Sequence, residues 1–372
     1  MKSKTISKRF LFSFAILSRL VFLFSIPFLS QDFYRFIWDG RMLLEGFNPY
    51  LSLPETFINE GVSPIQGAKE LYRGMGELNG SNYSNYPPLN QLIFFLGALF
   101  SNGGIIGNII GLRVILTLAD IGIIVTGISL LKNLNLNPKN IFWYALNPFI
   151  IIEMTGNLHF ETVMLFFLLW GIYQIHQKRW KLGALLIACS ISLKLIPLLF
   201  LPLFLNWFLK NSQHKKATRW FQLIAFYSLV IGVTVFTFLP FLNADLFANY
   251  SNSVGLWFRK FEFNASFYYL FREIGYLFRG FNEIAIIGKI IALLPILFTL
   301  GIAIFRNNKS TTQLLHSMLL VICFYLFVST TVHPWYIATP LLLSVFTKYR
   351  FTVVWSFVVI LSYHTYSSAV WQ

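Results

Sequence analysis

The sequence predicts an all-α protein that crosses a membrane many times. Of its 372 residues, 56% are hydrophobic, 18% are aromatic and only 12% are charged, and the mean hydropathy is +0.64. A chain with so little charge cannot cover a folded globule with a water-soluble surface. Its apolar residues fall into successive runs, several of them about 20 residues long, which is the length that a membrane-spanning helix needs.

The orientation follows from the basic residues, which mark the cytoplasmic ends of spans. Lys8 and Arg9, with two further lysines before them, predict that residues 1–9 are a cytoplasmic tail. The first span, about 10–30, is too long for a signal-peptide core and lacks a small-residue cleavage site, so we expect a retained anchor. Residues 31–106 then form a large first extracytoplasmic loop.

Later segments predict about eleven spans and a C-terminus on the outer side. In the next apolar region one crossing, about 107–131, is preferred, since a second crossing would place Lys132 and Lys139 outside. The shorter apolar piece at 89–102 is interpreted as an interfacial or re-entrant helix of the first outer loop. The other spans are predicted near 140–154, 160–176, 181–194, 195–209, 220–242, 283–305, 312–330, 335–347 and 351–370.

We expect residues 1–372 to form a single integral membrane domain with a second large outer loop at 243–282. The net charge of +15 does not indicate nucleic-acid binding, because the 29 basic residues are dispersed in short clusters between apolar runs. Cys189 and Cys323 lie inside such runs, which predicts neither a disulfide framework nor a metal site.

The acidic residues are unusually one-sided. The predicted inner segments carry lysines and arginines but no acid, and every acid except Asp120 falls outside or at an outer edge. The positive-inside bias does not require this distribution of carboxylates. It therefore indicates a functional site on the outer face.

Five short segments reach that predicted outer face: 32–50, 84–91, 147–161, 192–197 and 333–336. In this order they resemble the C-type (GT-C) superfamily of lipid-linked-sugar glycosyltransferases, especially the bacterial polyprenyl-phosphomannose-dependent mannosyltransferases. The first mannosyltransferase of glycolipid-anchor synthesis is similar more distantly. The strongest matches are the string D-x-Y-R-x-x-W-D-G-R from Asp32, the G-x-N-P-Y that ends at Tyr50, and H-P-W-Y from His333.

The resemblance covers roughly residues 10–340 and implies a membrane hexosyltransferase, expected to be a mannosyltransferase. Such an enzyme moves a sugar from a polyprenyl-phosphate donor to a hydroxyl of a lipid or glycan acceptor, with inversion, on the extracytoplasmic face of a bacterial plasma membrane. A secondary transporter or flippase for a lipid-linked sugar is the alternative, because Arg113, Asp120 and Lys194 lie in apolar segments. A transporter predicts internal repeats, and we find none.

Sugar transfer from a lipid phosphate needs a base for the incoming hydroxyl and cations for the departing phosphate. Asp32 is the best candidate base, since it opens the outer loop at the end of a span; a solvated acid is the alternative. Arg35 is either a phosphate ligand or an ion-pair partner of Asp32, and Arg41 is similarly ambiguous. Lys194 is costly among apolar neighbours unless a partner such as a phosphate accompanies it, although it could also snorkel to the interface.

His333 precedes a proline in a predicted turn, where its imidazole could donate to the lipid phosphate or serve only the structure. Further sugar or acceptor contacts are predicted for Asp39, Tyr50, Tyr86, Asn157, His159, Glu161, Glu262, Asn264, Trp335 and Tyr336. Of these, Asp39 could instead bind structural arginines, and the aromatic residues could instead anchor the chain at the interface. The segment around Glu262 suits an acceptor site or an interfacial helix equally well.

No metal ligand or other cofactor is predicted, although a divalent metal remains an alternative. Many relatives carry paired acids in the first outer loop, whereas Asp32 is flanked by Gln31 and Phe33. Glu153, His159 and Glu161 could offer ligands to a divalent ion.

Overall fold

The structure, a computed structural model, describes residues 6–210, 215–259 and 261–364, and it confirms the prediction of an all-α protein. Strand pairing among these residues is limited to an isolated bridge between Phe263 and Thr331. The α-helices in chain order are α1 (Lys8–Leu20), α2 (Asp32–Leu44), α3 (Pro54–Asn59), α4 (Ala68–Gly80), α5 (Pro88–Ala98), α6 (Gly104–Asn133), α7 (Phe142–Ala145), α8 (Pro148–Ile150), α9 (Glu161–His176), α10 (Trp180–Ile191), α11 (Phe204–Lys210), α12 (Lys216–Phe236), α13 (Leu246–Arg259), α14 (Ser266–Arg279), α15 (Ile284–Phe305), α16 (Thr311–Val328), α17 (Ala338–Ser344) and α18 (Phe351–Val358).

Four helical segments of the described chain are long and apolar enough to cross a membrane: Gly104–Asn133, Lys216–Phe241, Ile284–Phe305 and Thr311–Val328. A fifth crossing results if Pro148–Gly156 and Glu161–His176, which meet at 112°, form one broken span. The chain is therefore a membrane protein by the length and composition of its helices, and the expected number of about eleven spans is not confirmed.

Several predicted spans are shorter than expected. α1 has 13 residues and ends at Leu20 instead of continuing to residue 30, which makes it about 20 Å long. The predicted span at 140–154 is broken, because Asn147 caps a new helix at Phe149 N (3.0 Å) and Pro148 has no N–H to continue the old one. Parts of the predicted tail 1–9 and of the span 351–370 lie outside the described residues.

The predicted pair of short spans at 181–194 and 195–209 corresponds to a real interruption. α10 ends at Ile191, and the chain resumes as a 3₁₀ helix at Ile196–Leu203 before α11. Pro197 and Pro202 disfavour a regular α-helix there, since neither can donate a backbone hydrogen bond. Lys194 lies in the gap between these two helical segments.

The chain forms two compact units. The first consists of Met1–Trp170, Ser192–Lys194 and Phe236–Tyr250, and the second consists of Gly171–Ile191, Leu195–Val235 and Ser251–Gln372. In the first unit α2 packs against α4 and α5, and α5 packs against α6. In the second unit α15 packs against α16, and the 3₁₀ helix Ile196–Leu203 contacts both of them.

Close packing against α5 fixes the position of α2, the helix that begins at Asp32. A Cβ atom at Gly40 would lie 2.2 Å from the carbonyl oxygen of Phe94, so only glycine allows this approach. Phe36 of α2 stacks on Phe94 with ring centroids 4.7 Å apart, and both rings contact Phe160, each at 5.4 Å. An aromatic core thus holds α2, α5 and the segment before α9 together.

Candidate functional site

Three predicted residues from distant parts of the chain meet in the first unit. Asp32 is the first residue of α2, Glu161 is the first residue of α9, and Lys194 lies in the break after α10. The Lys194 ammonium forms an ion pair with the Glu161 carboxylate. Both charges act on the Asp32 carboxyl. We define Asp32, Glu161 and Lys194 as the charged triad.

Local structure favours a carboxylate at both acidic positions of the charged triad. Each one occupies the first turn of a helix, where backbone N–H groups lack helical partners and the helix dipole is positive. The half-buried Asp32 carboxyl also accepts a hydrogen bond from Asn79 Nδ2 at 3.3 Å, and its backbone N–H donates to Ser30 Oγ at 3.3 Å.

Burial raises the pKa of the Asp32 carboxyl above its ordinary value. The hydrogen bond from Asn79 and the charge of Lys194 lower that pKa, whereas the charge of Glu161 raises it, and the net effect is a rise. A carboxyl with a raised pKa is a stronger base once it has ionised, so Asp32 is suited to accept a proton from a hydroxyl.

Lys194 is held in place by the segment around it. The backbone N–H of Leu89 donates to the Ser192 carbonyl oxygen at 3.0 Å, and Thr237 Oγ1 donates to Ser192 Oγ at 3.2 Å. The Lys194 side chain is 28% exposed, while that of Glu161 is only 2% exposed. An anion can therefore approach the ammonium from its exposed side while Glu161 holds the other side.

Arg35 and Arg41, predicted as phosphate ligands, make internal contacts. Arg35 pairs with Asp39 (Nε to Oδ1, 2.8 Å), which contradicts the alternative of an ion pair with Asp32. Its Nη1 donates to the carbonyl oxygens of Asn79 at 2.5 Å and Asn82 at 2.8 Å. Arg41 fastens α2 to α6 by donating to Asn108 Oδ1 from Nε at 3.0 Å and from Nη2 at 2.6 Å.

Asp39 binds a structural arginine, which is the alternative to a sugar contact that the sequence indicates for it. Its carboxylate is completely buried and accepts hydrogen bonds from Arg35, from Ser84 Oγ at 2.6 Å and from Gln91 Nε2 at 2.9 Å. The Tyr50 hydroxyl, also buried, donates to the Tyr86 carbonyl oxygen at 2.6 Å. These motif residues connect the segments 32–50 and 84–91 to each other.

Asn157, His159 and Glu161, which are predicted to contact the sugar or acceptor, have different partners in the structure. Asn157 Nδ2 donates to Glu153 Oε1 at 3.3 Å, and His159 Nε2 lies 3.6 Å from Glu153 Oε2. Glu161 instead contacts Lys194. Glu153 belongs to a π-helical turn, Ile151–Gly156, and such turns are frequent at functional sites.

The remaining predicted residues meet in the second unit. The backbone of Phe263 pairs with that of Thr330 and Val332 at 3.0 and 2.8 Å, which brings Glu262 and Asn264 beside the segment 330–332. The ring of His333 stacks on those of Trp335 and Phe263, with centroids 4.5 and 5.6 Å away, and meets Tyr336 edge-on at 5.5 Å. Glu262 forms an ion pair with Arg272 at 3.0 Å.

Sequence reasoning missed the residues that support the site. Asn79, which contacts Asp32, lies in α4 outside every motif, so no local pattern marks it. The sequence suggests Glu153 only as a ligand of a divalent metal ion. Among the residues that the structure describes, no group of three or more His, Cys, Asp or Glu side chains is placed to hold a metal ion.

Comparison with known proteins matches residues 2–210 to a family model described as the N-terminal domain of alpha-(1->6)-mannopyranosyltransferase. The chain is 29% identical over 191 residues to alpha-(1->6)-mannopyranosyltransferase A of Corynebacterium glutamicum, covering 50% of this chain and 36% of that protein. It is 27% identical over 224 residues to the protein of the same name from Mycobacterium tuberculosis, covering 58% of this chain and 41% of that protein. The chain thus spans less than half the length of these relatives.

Proposed function

Since the chain belongs to the alpha-(1->6)-mannopyranosyltransferase family, we propose that it is a membrane mannosyltransferase whose reaction takes place at the charged triad. The observation that carries this proposal is the meeting of Asp32, Glu161 and Lys194 in one place. All three lie within the matched part of the chain. They provide a base and a cation, the two groups that sugar transfer from a phosphate requires.

In the proposed reaction an acceptor hydroxyl attacks the anomeric carbon of the sugar. The bond from that carbon to the phosphate oxygen breaks, and the lipid phosphate leaves with the electron pair. Asp32 takes the proton of the hydroxyl, and Lys194 stabilises the charge on the departing phosphate. Direct displacement inverts the anomeric carbon, so an enzyme that forms an alpha linkage needs a donor of the opposite configuration.

We further propose that the donor is a polyprenyl-phosphate-linked mannose and that the acceptor is a lipid or glycan hydroxyl. His333, Trp335 and Tyr336 are proposed to contact the lipid phosphate and its first isoprene units, and Glu262 and Asn264 to contact the acceptor. His333 stacks on Trp335 and meets Tyr336 edge-on, so these three side chains offer one common surface to a ligand. The mechanism needs no divalent metal, because Lys194 supplies the cation.

The proposed setting is the extracytoplasmic face of a bacterial plasma membrane. The N-terminal side of α1 is proposed to be cytoplasmic, and a C-type arrangement of about eleven spans is proposed to end outside. The one-sided distribution of carboxylates along the chain supports this orientation. The contacts of Arg113 and Asp120, which bind backbone carbonyls and Arg19, favour structural roles for these residues over a transport pathway.

The test is mannosyl transfer by the purified protein from a polyprenyl-phosphomannose to a mannoside acceptor, with the Asp32→Asn variant beside the wild type. Loss of the base is expected to lower kcat by about 100-fold or more. The matched control is Asp245→Asn, which changes an exposed carboxylate in the same unit. It should retain wild-type kcat.

Transfer by a well-folded Asp32→Asn protein at the wild-type rate would overturn the assignment of the base. If the wild type gives no transfer but moves the mannolipid across proteoliposome membranes, the chain is a flippase.

A further inference from the structure

Helix α6 carries two buried ionisable residues that the proposed reaction does not use. Arg113 is completely buried, and Asp120 is 1% exposed. An arginine or aspartate inside an apolar helix is costly unless it is paired, and it usually marks a function. Their contacts reveal what each one holds.

Asp120 anchors α1. Its Oδ2 pairs with Arg19 Nε at 2.6 Å, and Arg19 Nη1 donates to the carbonyl oxygens of Ala15 at 2.8 Å and Ala145 at 2.9 Å. α1 is therefore attached to α6 independently of Arg113.

Arg113 binds three backbone carbonyls in two separate segments. Its Nη1 donates to Leu23 at 3.0 Å, its Nε to Thr155 at 2.8 Å and its Nη2 to Gly156 at 2.9 Å. Leu23 lies in the linker that leads from α1 to Asp32, and Thr155 and Gly156 end the π-helical turn before Glu161. The Arg113 guanidinium thus connects the segment that leads to Asp32 with the segment that leads to Glu161.

A second tie connects the same two segments. Asn157 Oδ1 accepts hydrogen bonds from the backbone N–H groups of Phe28 and Leu29, at 3.3 and 3.2 Å. Residues 21–31, which we call the α1–α2 linker, are therefore fastened at both ends to the turn at 155–157. Because this linker contains little regular structure, these side chains fix the segment that leads into Asp32, while the packing of α2 on α5 holds the helix that follows it.

We propose that Arg113 is a positioning residue that sets the place of Asp32 relative to Glu161 and Lys194. This inference rests on the proposed function of the charged triad. Only the planar fork of arginine offers several donors in fixed directions. Lysine keeps the charge, but all its donors sit on one nitrogen, so it cannot reach the three carbonyls that Arg113 binds from three separate nitrogens.

The experiment measures distances between spin labels in the full chain, with Cys189 and Cys323 changed to serine. One pair places labels at Phe28 in the linker and Leu118 on α6, and the control pair places them at Phe14 on α1 and Leu118; all three side chains are exposed. In Arg113→Lys the Phe28–Leu118 distribution is expected to broaden. The Phe14–Leu118 distribution is expected to stay narrow, since Asp120 still holds α1.

Kinetics of the unlabelled proteins provide the second measurement. A misplacement of about 1 Å can cost about 100-fold in rate, so Arg113→Lys should lower kcat by about 10- to 100-fold with little change in the KM for the mannolipid donor. Ser129→Ala is the matched control and should keep wild-type kcat, because the half-buried Ser129 donates only to the Val125 carbonyl oxygen of its own helix. Asn157→Ala, which removes the second tie, should also broaden the Phe28–Leu118 distribution and serves if Arg113→Lys does not fold.

An unchanged Phe28–Leu118 distribution in Arg113→Lys, or a kcat equal to that of the wild type, would overturn the proposal. Equal broadening of both label pairs would do the same, because it would show a general loosening of the helices. A wild type without transferase activity would refute the proposed function instead, and the distance data would then still show whether Arg113 fixes the linker.

Discussion

Two opposite charges, those of Lys194 and Glu161, act on the carboxyl of Asp32. The charge of Lys194 favours the ionised form of the Asp32 carboxyl, and the charge of Glu161 disfavours it. Burial has the largest effect and raises the pKa of this carboxyl. Because Lys194 also pairs with Glu161, a change in either partner alters the environment of Asp32. A substitution at Lys194 or Glu161 is therefore expected to change the basicity of Asp32.

The acid limb of the pH–activity profile should shift in opposite directions in two variants of the charged triad. Asp32 must be ionised to act as a base, so activity should fall as the pH decreases through its pKa. Lys194→Met removes a charge that lowers this pKa and should shift the acid limb to higher pH. Glu161→Gln removes a charge that raises the pKa and should shift the limb to lower pH.

The measurement is kcat/KM against pH for the two variants and the wild type, with Asp245→Asn as a carboxylate control that leaves the limb in place. The midpoint of the limb is compared, because Lys194→Met also weakens phosphate binding. Shifts in the same direction in both variants would contradict the assignment of Asp32 as the titrating base.

At the level of the helices, two ion pairs with the same spacing have different surroundings. Arg35 and Asp39 of α2 are four residues apart and buried, with Nε to Oδ1 at 2.8 Å. Arg279 and Glu283 have the same spacing and the same 2.8 Å distance, but Arg279 is 63% exposed. The two pairs therefore differ in burial and in the further hydrogen bonds that Ser84 and Gln91 donate to Asp39.

Removal of the arginine should affect stability very differently in the two places. Arg35→Met leaves the carboxylate of Asp39 buried without its cation and is expected to lower the free energy of unfolding by about 3–5 kcal/mol. Arg279→Met breaks a pair that water screens and should cost about 0–1 kcal/mol. Denaturant unfolding in detergent, followed by tryptophan fluorescence, measures both values.

Equal losses of unfolding free energy in Arg35→Met and Arg279→Met would show that the internal ion pair does not stabilise the 32–50 segment. Arg35→Met should also impair transfer, because the α2 helix carries Asp32 at its first residue.

For the whole molecule the main prediction is the orientation in the membrane. A cysteine at Ala244, in the predicted second outer loop, should react with a membrane-impermeant maleimide in intact cells. A cysteine at Asn133, at the end of α6, should react only after the cells are permeabilised. Both positions are exposed, and Cys189 and Cys323 are changed to serine in this experiment as well.

The reverse labelling pattern would invert the proposed topology and place the charged triad on the cytoplasmic side. Reaction of both cysteines in intact cells would mean that an even number of crossings separates residues 133 and 244, instead of the five that are predicted between them.

The spacing of apolar runs predicted the helices well where one run is long and uninterrupted, as in α6 and α16. It failed where the helix ends or breaks within an apolar run. α1 ends at Leu20 although the apolar residues continue, and the region 140–154 is broken at Asn147. Hydropathy measures the average environment of a segment and contains no information about such interruptions.

In the candidate site, too, the sequence predicts some features and not others. Its motifs located Asp32, Glu161 and Lys194, because a charge at the edge of an apolar run is conspicuous. They did not separate the charges that we propose for catalysis from the structural ones. Arg35, Arg41 and Asp39 stand in the same string as Asp32 but bind one another or other internal groups. Such pairing depends on which helix faces which, and a single sequence does not record it.

The sequence by itself thus determined the class of the fold, the membrane setting and the family, because composition and short strings are local properties of the chain. Only the tertiary structure decided which charges meet. Lys194 pairs with Glu161, Arg35 pairs with Asp39, and Arg113 joins the linker at Leu23 to the turn at Thr155 and Gly156. The physical reason is that a buried charge takes the partner that the packing of helices brings within reach, and that packing is a property of the whole chain.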